Sequence, residues 1–150
     1  MFTFAILILF WLMLAGNMIT AIMFGETIEK GFAGTLCVIS FVVFAIGLVV
    51  APAIWASIGF ASDIAILMLA LVLVARTDRY WPVWFAAMQS LSVGTNLVAL
   101  FVDGVPHLIF SNLAAVWALP ALMTMSWGTI RDWRARQPTP ASTPARAATG

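Results

Sequence analysis

The feature that most limits the fold of this chain is the segment 33–75, in which Asp63 is the single charged residue. As one continuous helix this segment would measure roughly 64 Å, about twice the thickness of the hydrocarbon core of a bilayer. The segment must therefore fold back on itself. Pro52 is the expected turning point, because proline lacks a backbone N–H and disfavours helix in the residue before it.

The rest of the chain is similarly apolar. Charged residues make up 9% of the sequence and apolar residues 63%, so a water-soluble domain of this size would lack the polar side chains to cover its surface. Charges, glycines and prolines divide the chain into five apolar segments: about 2–23, 33–52, 56–75, 82–102 and 107–128. The sequence predicts an all-α, polytopic transmembrane helix bundle of about five spans over residues 1–136. Residues 137–150, rich in Pro, Thr, Ala and Ser, are expected to form a disordered cytoplasmic tail.

The basic residues predict the orientation of this bundle. With five spans, Lys30 falls in the first connection, Arg76 and Arg79 in the third, and the remaining arginines after the fifth span, all on one side of the membrane. Short basic connections stay on the cytoplasmic side, so the N-terminus is expected outside and the C-terminus in the cytoplasm. A four-span arrangement, which is the alternative, would divide the basic residues between the two faces.

Aromatic residues near the predicted span ends are typical of interfacial anchors. Tyr80, Trp81 and Trp84 are expected at the inner interface, where Trp127 and Trp133 would match them at the end of the fifth span. Such anchors indicate depth in the membrane and carry no chemistry.

Polar side chains at membrane depth must either find a partner or line water. Asp63 is expected about six residues from the outer end of the third span, a depth of roughly 9 Å. Asn96 and Asn112 would lie at similar depth, so we expect the amide of one of them to bond to Asp63. The predicted polar intramembrane cluster consists of Asp63, Gln89, Ser92, Asn96, Ser111 and Asn112.

Two interpretations of this cluster remain open. Asparagine, glutamine and serine often link transmembrane helices without lining any pathway. An intramembrane carboxylate such as Asp63 is by contrast a functional candidate by default, because desolvation favours its protonated form and suits it to proton exchange or cation binding. Asn17 and Thr20 lie away from the cluster and are expected to be packing contacts.

Other chemistry is not expected. Cys37 is the single cysteine and His107 the single histidine, so one chain can build neither a disulfide nor a Cys/His metal cage. No nucleophile motif, zinc motif or phosphate loop is present, which argues against an enzyme. The sequence predicts no cofactor, no metal and no nucleic-acid partner.

One segment carries a resemblance. Residues 76–84 read Arg-Thr-Asp-Arg-Tyr-Trp-Pro-Val-Trp and precede a helix whose polar face runs from Gln89 to Asn96. This pattern resembles a group of small uncharacterised bacterial inner-membrane proteins with an Asp-Arg-x-Trp-Pro-x-Trp helix start, over roughly Asp63 to Arg134. The resemblance implies a multi-pass protein of the cell inner membrane and lends no activity. That group often carries histidine where this chain has Asn96, a departure that weakens any proton-relay role for Asp63 and Asn96.

Three functions are compatible with these features. The first is a structural or accessory membrane subunit, embedded in the bilayer and packed in a larger membrane complex or a homo-oligomer. The alternative is a small transporter or channel in which Asp63 binds a proton or cation. A membrane-permeabilising protein, suggested by the small size and basic tail, ranks last.

Overall fold

The computed structural model describes residues 2–99 and 107–137, with side chains described for 4–98 and 116–137. These residues form five helices and no strand, so the predicted all-α class is confirmed. The helices are α1 (Phe2–Phe24), α2 (Thr27–Gly47), α3 (Pro52–Arg76), α4 (Trp81–Ala99) and α5 (His107–Arg136). Apart from Gln137, the predicted tail lies outside the described residues, as does most of the predicted turn at 103–107.

Three of the helices are long and apolar enough to cross a membrane: α1 over Phe4–Phe24, α2 and α3. Their outward surface is also apolar, with Phe4 of α1 72% and Val38 of α2 63% exposed. Large exposed patches of apolar side chains suit lipid and not water. The chain is therefore a helical bundle with the properties of a membrane-associated protein.

The second helix begins at Thr27, six residues earlier than predicted. The reason is a capping box, in which the Glu29 side chain accepts a hydrogen bond of 2.8 Å from the backbone N–H of Glu26. Lys30 consequently lies in the first turn of α2 and not in the connection before it. A capping box thus replaces the loop that the charges at this position had suggested.

The turn between α2 and α3 precedes Pro52, which is the first residue of α3. At that position the missing N–H of proline costs nothing, because it would have no partner within the helix. The indole N–H of Trp55 donates to the carbonyl oxygen of Val43 at 3.1 Å and joins the two helices across the turn. The predicted fold-back near Pro52 is therefore present.

The five helices form a closed ring. Each helix packs against its neighbours in sequence, and α5 closes the ring by packing against α1. Aromatic side chains fill the space between α2 and α4, where the ring centroid of Phe32 lies 5.5 Å from that of Trp81 and 5.0 Å from that of Phe85. These contacts place the apolar core inside the ring.

The aromatic residues at the start of α4 divide between the surface and this core. Tyr80 and Trp84 are 67% and 47% exposed, as interfacial anchors would be, whereas Trp81 is only 3% exposed. The expectation for Trp81 was wrong, because its ring packs on Phe32 of α2. Trp127 is 70% exposed, while Trp133 stacks edge-on against Phe24 of α1 with centroids 4.9 Å apart.

Candidate functional site

Asp63 accepts hydrogen bonds from three side chains of α4. Its Oδ1 atom accepts from Gln89 Nε2 at 3.2 Å, and its Oδ2 atom accepts from Asn96 Nδ2 at 2.9 Å and from Ser92 Oγ at 3.5 Å. Gln89 Nε2 also lies 3.4 Å from the backbone oxygen of Asp63. The expected hydrogen bond between Asp63 and Asn96 is present, and both carboxylate oxygens are engaged.

The spacing of the three donors explains how one helix supplies them all. Gln89, Ser92 and Asn96 stand at positions i, i+3 and i+7, which share one face of an α-helix. Gln89 and Ser92 are buried, being 5% and 4% exposed. An ionised carboxylate offers about four lone-pair sites, of which these donors use three. The polar face of α4 therefore uses most of the hydrogen-bonding capacity of the Asp63 carboxylate.

Asp63 stands close to the middle of α3. The helix begins at Pro52, so Asp63 follows its start by eleven residues, or about 16 Å. The expected depth of roughly 9 Å was counted from a span that began near residue 56, and the depth of Asp63 in the membrane stays a prediction. The carboxylate thus lies near the centre of the apolar length of α3.

Two members of the predicted cluster cannot be placed in the same way. Ser111 and Asn112 belong to α5, but their side chains lie outside the described residues. The structure therefore brings together Asp63, Gln89, Ser92 and Asn96, and the proposed contact between Asp63 and Asn112 stays a prediction.

A second polar cluster was missed by the sequence reasoning. Arg79, in the turn before α4, forms ion pairs with Glu26 and Glu29, and its Nη1 atom lies 3.9 Å from Asp132 Oδ2. Arg136 forms an ion pair with the other carboxylate oxygen of Glu26. We call these five residues the arginine network. Glu29 is fully buried within it, with 0% of its surface exposed.

The arginine network shows which helix ends lie together. Glu26 stands between α1 and α2, Arg79 between α3 and α4, and Arg136 at the end of α5. Their ion pairs bring these three segments to one end of the bundle, which we call the arginine end. Glu26 and Glu29 have Lys30 as the single basic residue among residues 1–75, which was the signal that a basic partner from elsewhere in the chain was required.

Glu26 gives the arginine end a dependence on pH. Partial desolvation raises the pKa of Glu26, but the hydrogen bond and positive charge of Arg79, followed by those of Arg136, outweigh it and hold the pKa below its ordinary value of 4.5. The ion pairs of Glu26 therefore stabilise the fold fully above about pH 4.5, and this stabilisation is lost as the pH falls through the lower pKa of the folded state.

We expect the melting temperature in detergent to decrease when the pH is lowered below 4.5. The variant Glu26→Gln should show a shallower fall, and an identical profile would contradict this role.

A third polar contact joins α1 to α5. Ser126 Oγ donates to Asn17 Oδ1 at 3.0 Å, and Asn17 Nδ2 lies 3.2 Å from the sulfur of Met125. Asn17 is 1% exposed, so its amide is partnered inside the bundle. The hydroxyl of Thr20 donates to the backbone oxygen of Gly16 in its own helix at 2.8 Å. Asn17 therefore makes the packing contact that its position suggested, whereas the packing contact expected of Thr20 stays a prediction because its hydrogen bond lies within α1.

The carboxyl groups of these clusters offer hydrogen bonding and proton exchange. Across residues 2–99 and 107–137, no group of three or more His, Cys, Asp and Glu side chains is arranged to hold a metal ion. In comparisons with known proteins, no family model, no curated protein and no solved structure matches this chain.

Proposed function

We propose that this chain is a multi-pass protein of the cell inner membrane that serves as a structural or accessory membrane subunit. The observation that carries the proposal is the use of both Asp63 oxygens by donors from a single neighbouring helix. A carboxylate held in this way joins α3 to α4 and has little capacity left for a ligand. Interhelical polar contacts of this kind commonly hold membrane bundles together.

The proposed topology has five spans, with the N-terminus outside and the C-terminus in the cytoplasm. Two observations support it. The helix α4 packs between α3 and α5, so it occupies the same layer as a helix that is long enough to cross a membrane. Six of the seven basic residues lie at or next to the helix ends that meet at the arginine end: Lys30, Arg76, Arg79, Arg131, Arg134 and Arg136. The positive-inside rule places that end in the cytoplasm.

Purification in a mild detergent tests the accessory role. A tagged chain is expected to retain a stoichiometric protein partner or a second copy of itself. Asp63→Leu should loosen the bundle and thereby weaken that assembly, because it removes three bonds between α3 and α4 worth about 0.6 kcal/mol each, or about 2 kcal/mol in total. Thr95→Ala is the matched control, since the Thr95 hydroxyl donates only to Leu91 in its own helix. A chain that is monomeric and without partners would contradict the proposal.

The second candidate is a small transporter or channel that uses Asp63 to bind a proton or cation. The position of Asp63 near the middle of α3 favours it, because coupling-ion sites of transporters lie near the bilayer midplane. Gln89, Ser92 and Asn96 would then line the route. The purified protein in proteoliposomes should carry protons, Na⁺ or K⁺, and Asp63→Asn should abolish the flux. Wild-type protein with no flux of these ions would exclude this candidate and leave the accessory role intact.

A further inference from the structure

A large cleft lies between α1, α4 and α5, with a volume of about 1390 Å³. On α1 it extends from Leu12 to Thr20, and on α5 from Met123 to Arg136. The fourteen residues from Met123 to Arg136 span about 20 Å, close to half of the roughly 40–45 Å thickness of a bilayer that includes its headgroup regions. The cleft therefore has the depth of one membrane leaflet, measured from the arginine end.

The lining of the cleft changes along this length. Arg131 lies at the arginine end, one turn of α5 beyond Trp127, so the two side chains share a helix face. Tyr80, which directly precedes α4, and Trp84 of α4 line the same region. Farther from the arginine end, the exposed apolar side chains of Leu12 and Met123 form the walls. Between the two regions the lining includes Asn17, Thr20, Thr124 and Ser126. The cleft thus has a cationic and aromatic mouth, a polar middle and an apolar far end.

The charges at the mouth are not equivalent. Arg79 and Arg136 also line the cleft, but both are engaged in ion pairs within the arginine network. Arg131 is exposed and forms no ion pair with any described residue. The acids that line the mouth are Asp78 and Asp132, and neither pairs with Arg131. Arg131 is therefore the cation available for a ligand.

The wider charge balance favours an anion. The arginine end holds six basic residues and four acids, Glu26, Glu29, Asp78 and Asp132, so it is positive overall. Because Arg79 and Arg136 are neutralised by the acids they contact, the excess is carried by unpaired cations at the periphery, Arg131 among them. Basic clefts between transmembrane helices on the cytoplasmic side commonly bind lipid headgroups.

We propose that this cleft binds one anionic phospholipid of the cytoplasmic leaflet. The lipid phosphate lies against the Arg131 guanidinium, which can donate two parallel hydrogen bonds to it. The glycerol region lies between Tyr80, Trp84 and Trp127, where amphipathic rings favour the interface. One acyl chain follows the apolar walls at Leu12 and Met123. This inference rests on the proposed membrane placement and does not depend on the role of Asp63.

Native mass spectrometry of the protein in detergent, titrated with phosphatidylglycerol, tests the proposal. The wild type is expected to retain one phosphatidylglycerol and to bind phosphatidylcholine more weakly. Arg131→Gln should bind phosphatidylglycerol about fivefold more weakly. Arg134→Gln is the matched control, because Arg134 is exposed and unpaired on the same helix but does not line the cleft. Equal losses in both variants would overturn the site and indicate a diffuse surface charge.

Two further measurements separate the lipid from other sources of phosphate and from misfolding. Glycerol phosphate, which has no acyl chain, should not displace the lipid at millimolar concentration, and displacement would overturn the assignment to a lipid. Met123→Trp should fill the apolar part of the cleft and reduce retention of the lipid. Its helix content, measured by circular dichroism, should be unchanged. Unchanged retention would also overturn the proposal. If a reporter fused at Gln137 lies outside the cell, the proposed topology and the assignment to the cytoplasmic leaflet are refuted. Binding of the lipid to the protein in detergent can still be measured in that case.

Discussion

Replacement of Arg79 by glutamine is expected to lower the free energy of unfolding by about 3–5 kcal/mol, the largest effect of any single change discussed for this chain. The Glu29 carboxylate is fully buried and Arg79 is only 19% exposed, so the variant leaves a buried negative charge without its partner. Glu26 would also lose one of its two arginines. Far-UV circular dichroism during thermal or SDS-induced unfolding in detergent measures the loss.

Two variants make this prediction specific. Arg76→Gln removes an exposed arginine that forms no ion pair with the described residues, and should change stability by no more than about 0.5 kcal/mol. The double variant Glu29→Gln with Arg79→Gln should recover most of the loss, because it removes the buried charge while glutamine at position 29 can keep the capping box. A single Arg79→Gln variant as stable as the wild type would show that the arginine network does not hold the bundle together.

A methyl group at Gly128 is expected to push α4 and α5 apart. A Cβ atom built on Gly128 would clash with the Cβ of Trp81, whose position is set by the backbone, so no rotation of the Trp81 side chain relieves the clash. Trp81 in turn is held against Phe32 of α2. Overpacking of this kind costs about 1–3 kcal/mol, so Gly128→Ala should unfold measurably earlier in the same detergent assay.

Gly94→Ala is the matched control for this second variant. It also lies inside a helix, but a Cβ atom there would meet no heavy atom within 4 Å. Because alanine has a higher helix propensity than glycine, this change should be neutral or slightly stabilising. Equal stability of the two alanine variants would mean that the close approach of α4 to α5 at Gly128 is not required for packing.

The sequence by itself predicted the features that follow from local periodicity and composition. Apolar segments of membrane length predicted an all-helical chain, and Pro52 predicted the fold-back between the second and third helices. The i, i+3, i+7 spacing of Gln89, Ser92 and Asn96 predicted one polar face on α4. A hydrogen bond from Asn96 to Asp63 was expected from the similar depth of the two residues, with Asn112 as the alternative partner, and the bond from Asn96 is present.

Only the tertiary structure decided which distant segments meet. Arg79 pairs with Glu26 across 53 positions of the sequence, and Arg136 pairs with the same glutamate across 110 positions. Helical spacing determines which face of a helix a residue occupies, but it does not determine which other helix covers that face. The burial of Trp81 and the closure of the ring by α5 against α1 were unpredictable for the same reason. These features depend on how five helices pack together, and the sequence of each helix alone is compatible with several arrangements.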